Sequence, residues 1–559
     1  MRTKIKYLTI SVILLLFNEG CNYLDYDETS GKTQEEAYGY FDNINSMVSY
    51  VYAQLPQDLG CVEEAMMESA SDNAIYTWED NKIHYLTNGT WSPLRLVDDA
   101  WNLWEGIRGA NSFLENYNPD ILKRFEYNAD YQDWIKAAAL FSYEVRVLRA
   151  YYYFELAKRY GDIPLVTKAY TNYEDANSVN KTSFDEVINF IAKECSEAAP
   201  NLPVNYNDYN GETGRVTQGM ALALKSRALL YAASPLHNPT NDKQKWEKAA
   251  KAAYEVIKLN AYSLPNIKND PLYEGGDKIF SSSQLIFERR NASESNSFEA
   301  RNEPMGNQGA LGGNVPTQNL VDAFEMADGT SFDWNNPEHV KNMYFDASGN
   351  PTRDPRLYLN VLTNESQWRN EKIETFTGGK HMVLNGSTPT GYYLRKYMNP
   401  AVSLDPVKPN KIRHHYILFR YAEILLNYAE AMNEWLGPDQ TGGTDAPLTA
   451  REVLNTVRRS ADMKDITDTG NNFTQRIRNE RRVELAFEGH RFFDIRRWKM
   501  AKEKDVKNIY GIKITKTETG FSYQKVLIEE RTWDDKMYLF PFPQEETYIN
   551  SNLKQNIGW

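Results

Sequence analysis

The chain has 559 residues, with 63 Lys+Arg against 76 Asp+Glu, a formal net charge of −13, and a composition that is 41% hydrophobic and 13% aromatic. Such a chain buries a real core, which excludes disordered, collagen-like and disulfide-scaffold classes, and its acidic balance argues against nucleic acid as the main partner. Three Cys (Cys21, Cys61 and Cys195) make no zinc spacing and at most one bridge.

The first twenty residues read as an address. Arg2, Lys4 and Lys6 precede an apolar run from Tyr7 to Phe17, which is too short to span a bilayer and suits a secretory signal. Gly20-Cys21 then looks like a bacterial lipoprotein cleavage site, with Cys21 acylated as the mature first residue. Asn18 and Glu19 depart from that pattern, and a secreted protein with a coincidental Cys is the alternative. No later segment is apolar enough to span a membrane, so a body on a lipid tether is expected.

Helical spacing dominates the rest. Apolar residues three and four apart predict helices over 35–55, 97–116, 131–160, 183–198, 216–233, 243–259, 417–435, 449–460 and 474–498. Gly161 and Pro164 stop the third of these. The Ala-rich pair 216–233 and 243–259, joined across Ser234-Pro235 and Asn238-Pro239, looks like one tetratricopeptide-type hairpin. No fixed 34-residue period follows, because long insertions intervene. The reading is a mainly α fold, helix pairs scaffolding a loop-rich half. Short strands are expected at 284–287, 391–397 and 537–540. The insertion between Phe287 and Pro316 is almost without aliphatic residues and is expected to be functional. After a signal peptide over 1–20, one body spans 21–559, with an N-terminal helical part (21–270) and a C-terminal part (271–559).

Ser71 to Arg95 (SDNAIYTWEDNKIHYLTNGTWSPLR) sets Tyr76, Trp78, Tyr85 and Trp91 among Asp72, Asn73, Glu79, Asp80 and Arg95. This is poor core material. Flat rings offer apolar faces to the C–H faces of sugars, and Asp, Asn and Arg bond hydroxyls, so a ligand surface is expected. Packing of these Trp side chains into the helical body is the competing reading.

Arg476 to Lys499 (RIRNERRVELAFEGHRFFDIRRWK) places Glu480, Glu484 and Glu488 four residues apart, on one face of a helix. Arg481 to Glu484 and Glu488 to Arg491 have ion-pair spacing. A glycosidase pair at Glu484 and Glu488 would need one raised pKa, and the Arg charges oppose that. A structural network, with His490 bonded inside it, is the expectation. G-x-S-x-G, P-loop, H-E-x-x-H and G-x-G-x-x-G motifs do not occur, nor does a calcium loop of the D-x-[DN]-x-[DN]-G type, so no catalytic residue, cofactor or metal is assigned.

The stretches RDPRL (Arg353–Leu357), RYAEILLNYAEAMNE (Arg420–Glu434), NERRVELAFEGHRFFDIRRW (Asn479–Trp498), PTQNLVDAFEMADG (Pro316–Gly329) and LFPFPQEETYINSNLKQNIGW (Leu539–Trp559) together resemble the SusD/RagB family of outer-membrane nutrient-binding lipoproteins. Cys21-Asn22-Tyr23-Leu24-Asp25 is similar to the family's mature start. The resemblance covers essentially the whole mature chain. It implies a tetratricopeptide-like scaffold, cell-surface exposure on the outer membrane, a glycan ligand (in some members a peptide), no hydrolysis, and a SusC-like TonB-dependent transporter as partner. Carried to this sequence, the family's ligand contacts fall on Asp72, Asn73, Trp78, Tyr85 and Trp91, with Arg289, Arg290 and Phe298 from the central insertion. Two other functions compete: a surface endo-glycosidase pairing Asp72 with Glu79 or Asp80, and a scaffold that contacts only the transporter.

Overall fold

A computed structural model describes residues 34–559 apart from 99, 171, 210–212 and 383–386. The leader and Cys21 lie outside the described residues. Helix α1 (Phe41–Ala53) and helix α2 (Leu103–Asn116) pack on the long helix α3 (Tyr131–Tyr160), which ends at Gly161 with φ +74°. From α3 the chain folds into successive hairpins. Helix α4 (Phe184–Ala198) packs on α3, and α5 (Gln218–Ala233) on α4. Helix α6 (Lys243–Lys258) then packs against α5, and α7 (Tyr421–Leu436) against α6. Helix α8 (Ala450–Ser460) follows α7. The expected α5–α6 hairpin forms, and small residues such as Ala221, Ala228, Ala249 and Ala253 let it close tightly. Capping boxes at Ser183/Glu186 and Thr449/Glu452 start α4 and α8.

The fold is mainly α, with a large helical core and a smaller second core around Val315, Leu320, Phe324, Trp368, Tyr393 and Ile512. The small two-stranded sheets are shared between the two cores. Strand β1 (Ala74–Tyr76) pairs antiparallel with β3 (Asn314–Pro316), and β2 (Leu285–Arg289) with β4 (Tyr416–Arg420). A hairpin of β5 (Asn508–Thr517) and β6 (Gly520–Glu530) flanks the second core.

Four expectations change. The single helix expected over 35–55 is two, Gln34–Tyr38 and Phe41–Ala53, broken at Gly39–Tyr40. Tyr416–Arg420 is a strand, because its β-branched and aromatic side chains are all buried between layers. The single helix expected over 474–498 is two, α9 (Gly470–Glu484) and α10 (Arg491–Arg497), separated by a turn with Phe487 at φ +61° and Gly489 at φ +74°. Glu488 therefore does not share a helical face with Glu480 and Glu484. The strand expected at 537–540 is instead a short 3₁₀ turn, Asp535–Tyr538.

Candidate functional site

The segment after α1 is fixed from below by arginines of the C-terminal part. Arg531 donates to the carbonyls of Ser69 at 3.0 Å and Ala74 at 2.9 Å, and also to that of Ser71. Arg491 forks onto Asp72 at 2.7 and 2.8 Å, and Arg482 reaches Asn73 Oδ1 at 2.7 Å. Asn73 in turn donates to Glu68 at 2.6 Å. Burial alone would raise the Asp72 carboxyl, but Arg482 and Arg491 overcome it and hold the group at about 2. Asp72 and Asn73, expected as ligand contacts, are thus buried positioning residues. Their polar atoms are spent on holding the segment.

Above this anchor, β1 and β3 bring the aromatic segment against the end of the central insertion. Thr77 N donates to Gly313 O at 2.8 Å and Thr77 Oγ1 to Gly312 O at 2.6 Å. A methyl group on Gly313 would lie 2.8 Å from Arg301 O and 2.9 Å from the Tyr76 ring, so only glycine permits this approach. Trp78 follows at the edge. Its Nε1 donates to Leu311 O at 3.1 Å, and the residue is 39% exposed.

The rim holds groups suited to hydroxyls. Glu79 and Asp80 are exposed and have no ion pair among the described residues. Arg301 pairs with Glu64, and Lys82 with Glu63 at 2.5 Å. Glu63 and Glu64 occupy consecutive left-handed conformations, at φ +48° and +81°, which are costly for residues bearing a Cβ. Asn81 and Asn314 hold that turn by donating to the two glutamate carbonyls at 2.8 and 3.3 Å.

The remaining expected contacts divide. Tyr85 is half-buried beneath the Arg95 guanidinium, 4.9 Å from the ring centre. Trp91 is only 3% exposed and packs edge-on against Phe540 and Trp559 at 4.9 and 4.6 Å, so it is core. Phe298 is also core, beside Tyr397 and His414. Arg289 donates to Leu55 O, and Arg290 lies 4.0 Å over the Phe280 ring while bonding Glu288 and Thr213. Both guanidiniums are engaged within the protein and bond nothing in the Trp78 segment. The Gly312-Gly313 doublet, Leu311 and the Glu63–Glu64 turn were not singled out as site residues. The doublet was visible in sequence, but its role depends on a strand partner some 240 residues away.

The Arg/Glu region forms the expected network, through other partners. Arg481 pairs with Asp494 at 2.9 Å and Arg491 with Asp72, not with the neighbouring glutamates. Glu484 takes Arg420 at 2.6 Å and Arg356 at 2.8 Å, and these charges overcome burial to hold it at about 2. Arg353 of the RDPRL stretch donates to the carbonyls of Val321, Phe324 and Met343.

A model of the SusD family matches residues 279–559. The chain belongs to that family. A second model, described as starch-binding associating with outer membrane, matches residues 22–230. SusD-like protein P38 of Formosa agariphila is 26% identical over 391 residues, 64% of this chain and 66% of the relative's length. A SusD-like protein of Bacteroides fragilis superposes with a TM-score of 0.74 at 28% identity, covering 94% of this chain and 98% of that one. A SusD-like carbohydrate-binding protein of the same species gives 0.73 at 23% identity, covering 92% and 99%. No helix among the described residues of this SusD-family chain is long and apolar enough to cross a membrane.

Proposed function

We propose that the protein is a cell-surface lipoprotein, acylated at Cys21, that captures a carbohydrate chain at the Trp78 platform and passes it uncut to a SusC-like TonB-dependent transporter. One observation carries the reading: the Trp78 indole is fixed through Nε1 to Leu311 O while the residue stays 39% exposed. A ring already immobilised loses little freedom when a sugar stacks on it. Glu79, Asp80 and the Arg301–Glu64 pair offer hydroxyl partners around it, and Tyr85 stands as a second contact. The matched family models and the carbohydrate-binding description of the Bacteroides fragilis relative support the same ligand class.

The glycosidase alternative loses its partner. Asp72, held at about 2, cannot serve as a general acid near neutral pH, and buried with both oxygens on Arg491 it cannot reach a substrate as nucleophile or base. Purified protein incubated with soluble polysaccharides is expected to deplete one of them from solution without creating reducing ends. Sustained appearance of reducing ends overturns the non-catalytic reading. Cys21→Ser is expected to release the protein from the outer-membrane fraction.

A further inference from the structure

A cavity of about 310 Å³ lies in the helical body, distinct from the Trp78 platform. Its mouth is formed by exposed Ala53, Gln57 and Asn102, at the end of α1 and the start of α2. Its inner wall comes from α3 and α5, strand β4 and the turn between α9 and α10. On α3, Tyr151, Glu155, Lys158 and Arg159 recur at helical spacing, so one face of the helix points inward.

Apart from Asp58, which has no ion pair and whose charge is partly offset by nearby Arg159 and Lys158, the charged side chains of this wall are paired or neutral. Arg159 takes Asp98 at 2.7 Å and Glu155 at 2.8 Å, and Lys158 takes Glu155 at 2.6 Å. Arg227 takes Glu423 at 2.6 Å, and Glu488 takes Arg420 and Lys396, each at 2.7 Å. His490 is pushed well below its usual range by burial and by neighbouring Arg and Lys charges, and is neutral.

What is left over is hydroxyl chemistry. The phenol groups of Tyr151, Tyr231 and Tyr416 line the cavity and have no hydrogen-bond partner among the described residues. Asp58 Oδ2 is buried without a partner, while its Oδ1 accepts from Met67 N at 2.8 Å. Two of these groups converge: a methyl group on Gly489 would sit 2.7 Å from the Tyr416 hydroxyl and 3.7 Å from Asp58 Oδ2. A buried polar atom left unpaired, as Asp58 Oδ2 is, costs about 1–3 kcal/mol, and the three phenols beside it stand open to an occupant of the cavity. An anion would meet the unpaired Asp58 carboxylate, and a cation the Arg159 and Lys158 charges that already offset it, so the occupant is neutral. The volume equals the liquid share of roughly ten waters.

We propose that this cavity is a second binding site, for one neutral polyhydroxylated molecule the size of a single sugar ring. The test is titration calorimetry with D-glucose, D-galactose, D-mannose and myo-inositol, and with D-glucuronate as the charged control. Wild type and Trp78→Ala are expected to bind at least one neutral probe equally, and glucuronate far more weakly. The double variant Tyr151→Phe/Tyr416→Phe removes hydroxyls that bond nothing in the protein. It is expected to keep the wild-type melting temperature and to weaken that probe about tenfold or more. Failure of every neutral probe to bind overturns the proposal, as does glucuronate binding as tightly, undiminished binding by the double variant, or loss of binding in Trp78→Ala. Because the Trp78→Ala arm is scored separately, failure here leaves the platform reading intact.

Discussion

Asp72 and Arg491 stand 419 residues apart in the chain and meet in a two-pronged ion pair of 2.7 and 2.8 Å, both side chains buried. The pair ties the segment that bears Trp78 to the start of α10. An acid that reads in sequence as a sugar contact is in fact the foundation beneath the contact.

Asp72→Asn therefore acts on stability. It leaves buried Arg491 and partly buried Arg482 with one charge too few to meet them, a change that costs about 3–5 kcal/mol. Urea unfolding is expected to show that loss, with ligand affinity per folded molecule close to wild type. An unchanged unfolding midpoint together with lost affinity would return Asp72 to the ligand.

The two tryptophans of the segment separate cleanly. Trp91→Ala empties a core position between Phe540 and Trp559 and is expected to cost about 3–5 kcal/mol. Trp78→Ala removes an exposed ring and is expected to leave the melting temperature nearly unchanged. Equal destabilisation by both would mean that Trp78 is packing, not platform.

Gly313→Ala is expected to cost about 1–3 kcal/mol, because the new methyl meets Arg301 O and the Tyr76 ring at under 3 Å. The strain falls on the β1–β3 junction that seats Trp78, so glycan retention should fall with it. Wild-type retention and stability would show that the junction yields freely.

Acid should unfold the protein late and then steeply. Burial alone would raise Asp72, Glu155 and Glu484, but adjacent Arg and Lys charges hold each at about 2. Unfolded carboxylates titrate near 4, so this stabilisation is complete above about pH 4.5 and is lost as pH falls toward 2. Asp58 and Glu68 run the other way, since burial raises them to about 6 and about 7. Between about pH 7 and 4 the folded state takes up protons there that the unfolded state does not, and stability rises slightly on the way down. The urea midpoint should hold or rise from pH 7 to 5 and drop below about pH 4. A decline already under way between pH 7 and 5 would contradict the arrangement.

Much of the helical body was legible because its signals are local. The span 131–160 was read to the residue, since the apolar spacing and Gly161 both lie within reach of a helical window. The turn that splits 474–498 was hidden, because Leu485, Ala486 and Phe487 continue an apolar run whose φ reversal at Phe487 is imposed by tertiary contacts. The β5–β6 hairpin passed unread, its outward positions being charged and its inward Ile residues few. At the site, the composition of 71–95 marked the right stretch. Which of its polar groups faced solvent depended on Arg482, Arg491 and Arg531, each more than 400 residues away, and no local pattern carries that information.

The most direct test of the whole account is affinity gel electrophoresis of wild type and Trp78→Ala on the polysaccharide that wild type retains. Loss of retention by about tenfold or more, in a variant that melts with wild type, is the predicted result. Retention by Trp78→Ala indistinguishable from wild type would contradict it, and would move glycan capture away from the junction of β1 and β3.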